Sequence, residues 1–231
     1  MCGVFSFTEH FENADYVAIG KILKVYPNES NEEIYKADIQ VVNLIKGPKI
    51  SSIYVYGRSD GKLGGSCSIY TPEGKEYIFF AKKNKDGRIV FGECSGTRDL
   101  DYVKERTAYI LKALEILKDK GKDFTGHPPV INFSALSSTL EEYKGVPMKE
   151  KFALYEVGFH ENLKVKAVKI LKGFGTEVDQ KIVTSLLQST GWKIQFSKDQ
   201  FTVPKGTKKL IGVYYYEADD ENPSFLSELD L

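Results

Sequence analysis

Hydrophobic and polar positions alternate early in the chain: Tyr35, Ala37, Ile39 and Val41 are separated by Lys36, Asp38 and Gln40. A period of two marks a strand with one buried and one wet face. Val17–Val25, Ser52–Tyr56, Glu76–Ala81 and Arg88–Phe91 read as further strands. Turn residues punctuate them at Pro27-Asn28, Gly47-Pro48, Asp60-Gly61, Pro72-Glu73-Gly74 and Asp86-Gly87. Five short strands so punctuated predict a small barrel or sandwich.

The period then becomes helical. Val103, Thr107, Ile110, Leu111, Leu114 and Leu117 share one face of a helix running from about Asp99 to Lys118. Asp99 and Asp101 lie near its start, and Lys118, Lys120 and Lys122 near its end, the order the helix dipole favours. Gly121 stops the helix, and Gly126-His127-Pro128-Pro129 reads as a linker. Beyond it, Ser137–Tyr143 is a short helix. Phe152–Phe159 and Lys164–Leu171 are two strands joined at His160-Glu161-Asn162. Val178, Ile182, Val183, Leu186 and Leu187 form a helical stripe, and Leu210–Tyr216 is a last strand. The fold class expected is therefore β followed by α+β. Residues 1–122 form a small five-stranded barrel or sandwich with a helix after it, 127–219 a ββαβ domain, and 220–231 a loose acidic tail.

Composition narrows the function classes. The 231 residues are 42% hydrophobic, and 14 Tyr and 14 Phe favour β structure. Lys plus Arg and Asp plus Glu both number 32, and each half of the chain is close to balance. That lacks the basic excess of a nucleic-acid binder. No run of about 18 apolar residues is present, so no membrane span is expected. Met1-Cys2-Gly3-Val4-Phe5 lacks the basic start and apolar stretch of a leader.

The three cysteines are Cys2, Cys67 and Cys94. An odd count leaves one thiol unpaired or places its partner outside the sequence. Cys67 follows Gly64-Gly65-Ser66, and a nucleophilic thiol there needs a neighbouring His or helix N-terminus. His10, His127 and His160 are scattered and form neither a catalytic nor a metal-ligand pattern. Gly173-Phe174-Gly175 lacks the Lys-Ser/Thr ending of a phosphate loop and reads as a turn into a helix. No catalytic residue, metal site or cofactor is expected, and Trp192 is expected in a helix–sheet core.

Two ordered series of motifs carry family likenesses. Cys2, Ala14-Asp15-Tyr16-Val17-Ala18-Ile19-Gly20-Lys21, Leu44-Ile45-Lys46-Gly47, Ser66-Cys67, Gly74–Ala81 and Cys94 together resemble the netrin-like domain of the tissue inhibitors of metalloproteinases (TIMP), in its bacterial envelope form. The resemblance covers about residues 2–120 and implies a five-stranded OB-type barrel with a flanking helix. It also implies a Cys2–Cys94 disulfide, with Cys67 left without the partner that the family's usual Cys-x-Cys opening provides. Inhibition in that family uses the α-amine and carbonyl of the first cysteine on a catalytic zinc. Here Met1 stands at that place.

Leu154–Phe159, Asn162-Leu163-Lys164-Val165, Val168–Gly175, Val178-Asp179, Gly191-Trp192-Lys193 and Gly212–Tyr216 resemble the C-terminal domain of TonB, over about residues 127–217. The usual Pro after Trp-x is absent, and Asn162-Leu163 replaces the usual hairpin Gly. That domain offers a sheet edge to an extended peptide.

The likenesses imply a non-enzymatic protein-binding module of a bacterial envelope, periplasmic, secreted or at the cell surface, with a leader or lipid anchor upstream of Cys2. Its partner is expected to be a protein or extended peptide. The edge expected to bind it is Leu210–Tyr216, which displays Tyr214 and Tyr216 on one face. The alternative is metalloprotease inhibition through a ridge of Cys2, Gly3, Val4 and Phe5 with Ser66 and Cys67.

Overall fold

The computed structural model describes residues 6–29, 33–62, 64–101, 104–195 and 201–228. The chain divides into two compact units: of the described residues, 13–125 belong to the first and 6–12 with 126–228 to the second.

The first element, helix α1 (Phe7–Asn13), was not foreseen. Its start is a reciprocal cap: Glu9 N–H donates to Ser6 Oγ (3.4 Å), and Ser6 N–H donates to Glu9 Oε2 (2.9 Å). This arrangement pairs backbone donors that a helix start leaves unpaired. Phe7 and Phe11 are fully buried. Although it opens the chain, Ser6–Glu12 is part of the second unit.

In the first unit, β1 (Tyr16–Val25), β2 (Ile34–Lys46), β3 (Ser52–Tyr56), β4 (Glu76–Lys83) and β5 (Ile89–Phe91) follow in sequence. Their spatial order is β1-β2-β3-β5-β4, and β4 pairs back onto β1, so five strands close into a barrel. The β3–β5 pairing is parallel and the others antiparallel. The barrel is consistent with the OB type. β1 serves two neighbours, and its ladder with β2 shifts register at three points, which bends a strand around a barrel. Gly20 allows the close approach: a Cβ there would stand 2.7 Å from the Gln40 carbonyl oxygen.

Alternate residues fill the barrel, among them Tyr16, Tyr35, Ile53, Val55, Phe79 and Phe91. Arg98–Asp99 forms a short strand, β6, against Ile78 and Tyr77. That pairing takes residues expected to start the following helix, so α2 runs Lys104–Asp119 instead. It buries Ile110, Ala113, Leu114 and Leu117. Val103, expected on the same stripe, lies outside the described residues.

The second unit adds β7 (Val130–Ile131), α3 (Ser137–Glu141), β8 (Phe152–Phe159), β9 (Val165–Lys172), α4 (Glu177–Gln188), β10 (Lys193–Ile194), β11 (Lys208–Tyr216) and β12 (Phe225–Ser227). Four strands form an antiparallel sheet in the order β12-β11-β8-β9, and β7 and β10 make a separate two-stranded ladder. Tyr155, Val157 and Phe159 of β8 share one core with Val178, Ile182 and Leu186 of α4 and with Trp192. The Trp192 indole N–H donates to Ser189 Oγ (2.8 Å), and its ring meets Phe159 edge-on at 5.1 Å.

Two expectations need correction. Residues 220–231 are not a loose tail throughout, because Phe225–Ser227 pairs with Tyr214–Tyr216. Nor is Leu210–Tyr216 a free edge. β11 has β8 on one side and β12 on the other at Tyr214–Tyr216, and the Leu210 N–H donates to the Glu12 carboxyl of α1.

Candidate functional site

The residues singled out from sequence separate into three groups. Cys2, Gly3, Val4 and Phe5 lie outside the described residues. Ser66 and Cys67 lie in a turn between β3 and β4, Ser66 exposed and Cys67 half-buried. Cys67 carries a free thiol, whereas Cys94 is disulfide-bonded. Tyr214 is buried and Tyr216 half-buried, the latter stacked on Phe225 at 4.8 Å. Both rings therefore face packed neighbours instead of an open surface.

The glycine-bracketed turn before α4 is also occupied. Asp179, itself buried, accepts hydrogen bonds from the Phe174 N–H (2.9 Å), the Gly175 N–H (2.9 Å) and the Tyr155 hydroxyl (2.7 Å). The amides that an anion would need are used by a side chain of the helix itself. Burial, then the Asp179 bond, pushes the Tyr155 phenol far above its ordinary range. A Cβ on Gly173 would stand 2.4 Å from Asp179 Oδ2, so this turn closes only over glycine.

The open edge of the sheet is β9. It pairs with β8 from Leu154↔Lys172 to Phe159↔Val165. Among the described residues, its other side makes no backbone hydrogen bond. Lys166, Ala167, Lys169 and Ile170 are exposed along it. Beside it lies a groove of about 840 Å³, whose lining includes Glu156, Lys164, Lys166, Lys169, Lys205 and Lys208. Lys208 pairs with Glu156 at 3.3 Å. Lys164, Lys166, Lys169 and Lys205 form no ion pair among the described residues. Leu163, at the hairpin leading into β9, holds φ at +63° while buried. That left-handed backbone is uncommon for leucine, and burial of its side chain offsets the strain.

The sequence reading missed β9 as the edge because strand order is not written in periodicity. The signal available was Lys166 and Lys169 in the otherwise apolar stretch Val165–Leu171, since lysines guard exposed edges. Among the described residues, no group of three or more His, Cys, Asp or Glu side chains gathers in a way that would hold a metal ion, and no helix is long and apolar enough to cross a membrane.

No family model matches this chain, and no curated protein sequence matches it. Neither the netrin-like nor the TonB-like resemblance gains support from those comparisons.

Proposed function

We propose that this chain is a non-enzymatic protein-binding module of a bacterial envelope, and that its second unit takes an extended partner segment by strand addition at β9. The observation that carries this reading is the outer side of β9, which has no backbone partner among the described residues. Main-chain hydrogen bonds along such an edge supply affinity, and side-chain surroundings supply selectivity. Lys166 and Lys169 disfavour pairing with a second, equally basic β9, because like charges meeting across a ladder destabilise it. They favour a segment of opposite charge. The envelope setting and the absence of catalysis rest on the two resemblances.

The test is a selection of displayed linear nonapeptides on the full chain, followed by amide exchange of the complex. Protection is expected to rise across Val165–Lys172 and to stay level across Lys208–Tyr216. Charge reversal of Lys166 and Lys169 together is expected to weaken the selected peptides at least tenfold at low salt. Selected peptides that protect another surface, or a selection that yields none, would remove the proposal.

A further inference from the structure

The open edge of β9 is regular only in its middle. Its register against β8 shifts between Gly158 and Phe159 and again between Leu154 and Tyr155, and each shift sets two β9 residues against one of β8. Such a bulge bends a strand and interrupts pairing along it. Between the shifts, Ala167, Val168, Lys169 and Ile170 run in step with Gly158, Val157, Glu156 and Tyr155. An added strand therefore finds four consecutive regular positions. The two faces of this stretch differ, and directly opposed residues share a face. Tyr155 and Val157 lie in the core with α4, and Val168 packs against that core. Val168 and Ile170 thus belong to the apolar face, where Ile170 remains 36% exposed. Ala167 and Lys169 belong to the opposite face, with Gly158 and Glu156, and that face holds the groove. Lys208, Gly158 and Ala167 make one row across three strands there, and Leu210, Glu156 and Lys169 make the next. The small residues of the first row keep the floor low. Around it stand Lys164, Lys166, Lys169, Lys205 and Lys208. The carboxylates of the lining are Glu161 and Glu156, the latter paired with Lys208, so the groove is positive in a chain whose charges balance overall.

We propose that the segment taken at β9 is a short strand in which acidic and apolar residues alternate. Two acidic side chains, two positions apart, enter the lysine groove, and the apolar residues beside them lie along Val168 and Ile170. This inference rests on strand addition at β9 and specifies the partner's sequence pattern, where that reading specifies only its charge. One acid stands opposite Lys169. The other stands opposite Ala167, whose small side chain leaves space for a carboxylate to meet the amines of the first row and of the flanking turns. Neighbouring strands lie about 4.8 Å apart, a distance a lysine side chain spans. A segment with adjacent acids has the right charge and the wrong faces. Successive side chains of a strand point to opposite sides, so one carboxylate would be laid against Val168 or Ile170, away from the lysines. Placing a charge on apolar surface without a partner is unfavourable. The pattern, and not the charge alone, is therefore what the edge selects.

The test titrates the full chain into dye-labelled heptapeptides with blocked ends, read by fluorescence anisotropy at low salt, where screening is weak. The peptide Ser-Val-Glu-Val-Glu-Val-Ser reads the same in both directions, so parallel and antiparallel addition are both open to it. Its isomer Ser-Val-Glu-Glu-Val-Val-Ser keeps composition and charge and breaks the alternation. The alternating peptide is expected to bind at least tenfold more tightly and to protect amides within Val165–Lys172 from exchange. Lys169→Glu is expected to weaken it at least tenfold. Ile170→Thr, with the fold checked by Trp192 fluorescence, is expected to weaken it about threefold. Equal binding of the two isomers, with protection still confined to Val165–Lys172, would overturn the pattern and leave strand addition standing. Protection elsewhere, or no binding by either peptide, would remove both. Tripolyphosphate that binds the groove as tightly as the alternating peptide would also overturn the inference, and would assign the groove to a soluble anion.

Discussion

In the barrel, β1 is paired on both sides, to β2 over Val17–Val25 and to β4 over Tyr16–Lys21, so the sheet returns to its own beginning. In the second unit the sheet runs from β12 through β11 and β8 to β9 and stops. Closure removes edges, whereas an open sheet keeps a row of donors and acceptors available. Buried hydroxyls of the barrel are treated in two ways, since Tyr35 bonds Thr71 and Tyr16 does not share in such a pair. The barrel encloses Tyr16, whose hydroxyl has no hydrogen-bond partner among the described residues and is pushed up to about 12 by burial. The second unit gives Tyr155 a carboxyl acceptor that simultaneously ties down a turn. At Asp179 the second unit thus ties its helix to the sheet through a buried carboxyl.

Trp192 is the chain's one tryptophan and lies in the second unit, so its fluorescence separates the two units during unfolding. The largest expected effect is that of Asp179→Ala. It leaves the amide of buried Phe174, the Gly175 amide and the Tyr155 hydroxyl without their acceptor. A loss of about 3–5 kcal/mol is expected in the transition that Trp192 reports. Amide exchange of β1 and β4 should stay unchanged. Equal loss in both units would end the comparison.

Tyr35→Phe and Tyr16→Phe test the barrel. The Tyr35 hydroxyl accepts from the Thr71 N–H (2.9 Å), so its removal is expected to cost about 1–3 kcal/mol. The Tyr16 hydroxyl has no such partner, so its removal is expected to be neutral or to stabilise by up to about 1 kcal/mol. Amide exchange of the barrel strands ranks the two, and the reverse order would contradict the packing described.

The second unit also responds to pH. Burial pushes the Glu228 carboxyl up to about 7, against the pull of Lys209 and with repulsion from Glu9. Burial raises Glu12 as well, again opposed by Lys209. Between about 4.5 and 7 the folded state holds a proton at Glu228 that the unfolded chain has lost. Stability therefore falls as pH rises through that window. The Trp192 transition is expected at higher denaturant at pH 5 than at pH 7.5, and Glu228→Gln is expected to shrink the difference.

Two smaller effects sharpen the contrast. Ser6→Ala removes the cap of α1 and is expected to cost about 1 kcal/mol, read by Trp192 although residue 6 precedes the barrel. Charge reversal of Lys166 and Lys169 is expected to shift stability by no more than about 0.5 kcal/mol, while peptide binding falls. Unfolding of that variant would mean these lysines support the sheet.

The barrel strands were legible because each has an alternating or apolar core and lies between turn residues. β2, for example, runs Ile34–Lys46 around the stretch Tyr35–Val41. α2 was legible as a stripe, but its start was not, since Asp99 carries no mark of its pairing with Tyr77. α1 escaped notice because seven residues are too few to establish a period, although Ser6-x-x-Glu9 is a capping signature. The candidate edge was misplaced for a different reason. The Leu210–Tyr216 sequence reads as a good strand, but its partner Phe225–Ser227 is a three-residue strand in a stretch that reads as an acidic tail, and Glu12 lies 198 residues from Leu210.

The sequence by itself determined local matters: which segments extend, which form helices and where turns fall. Those follow from side-chain period, glycine and proline dihedrals, and short-range hydrogen bonding. Tertiary structure alone decided that β4 closes onto β1 and that a helix from the start of the chain joins the second unit. It also decided that β9 and not β11 carries the open edge, and that Cys67 comes within 3.1 Å of Cys94. Each of these is a pairing between residues far apart in the chain. Pairing is set by which surfaces can be buried together, and no local pattern encodes it.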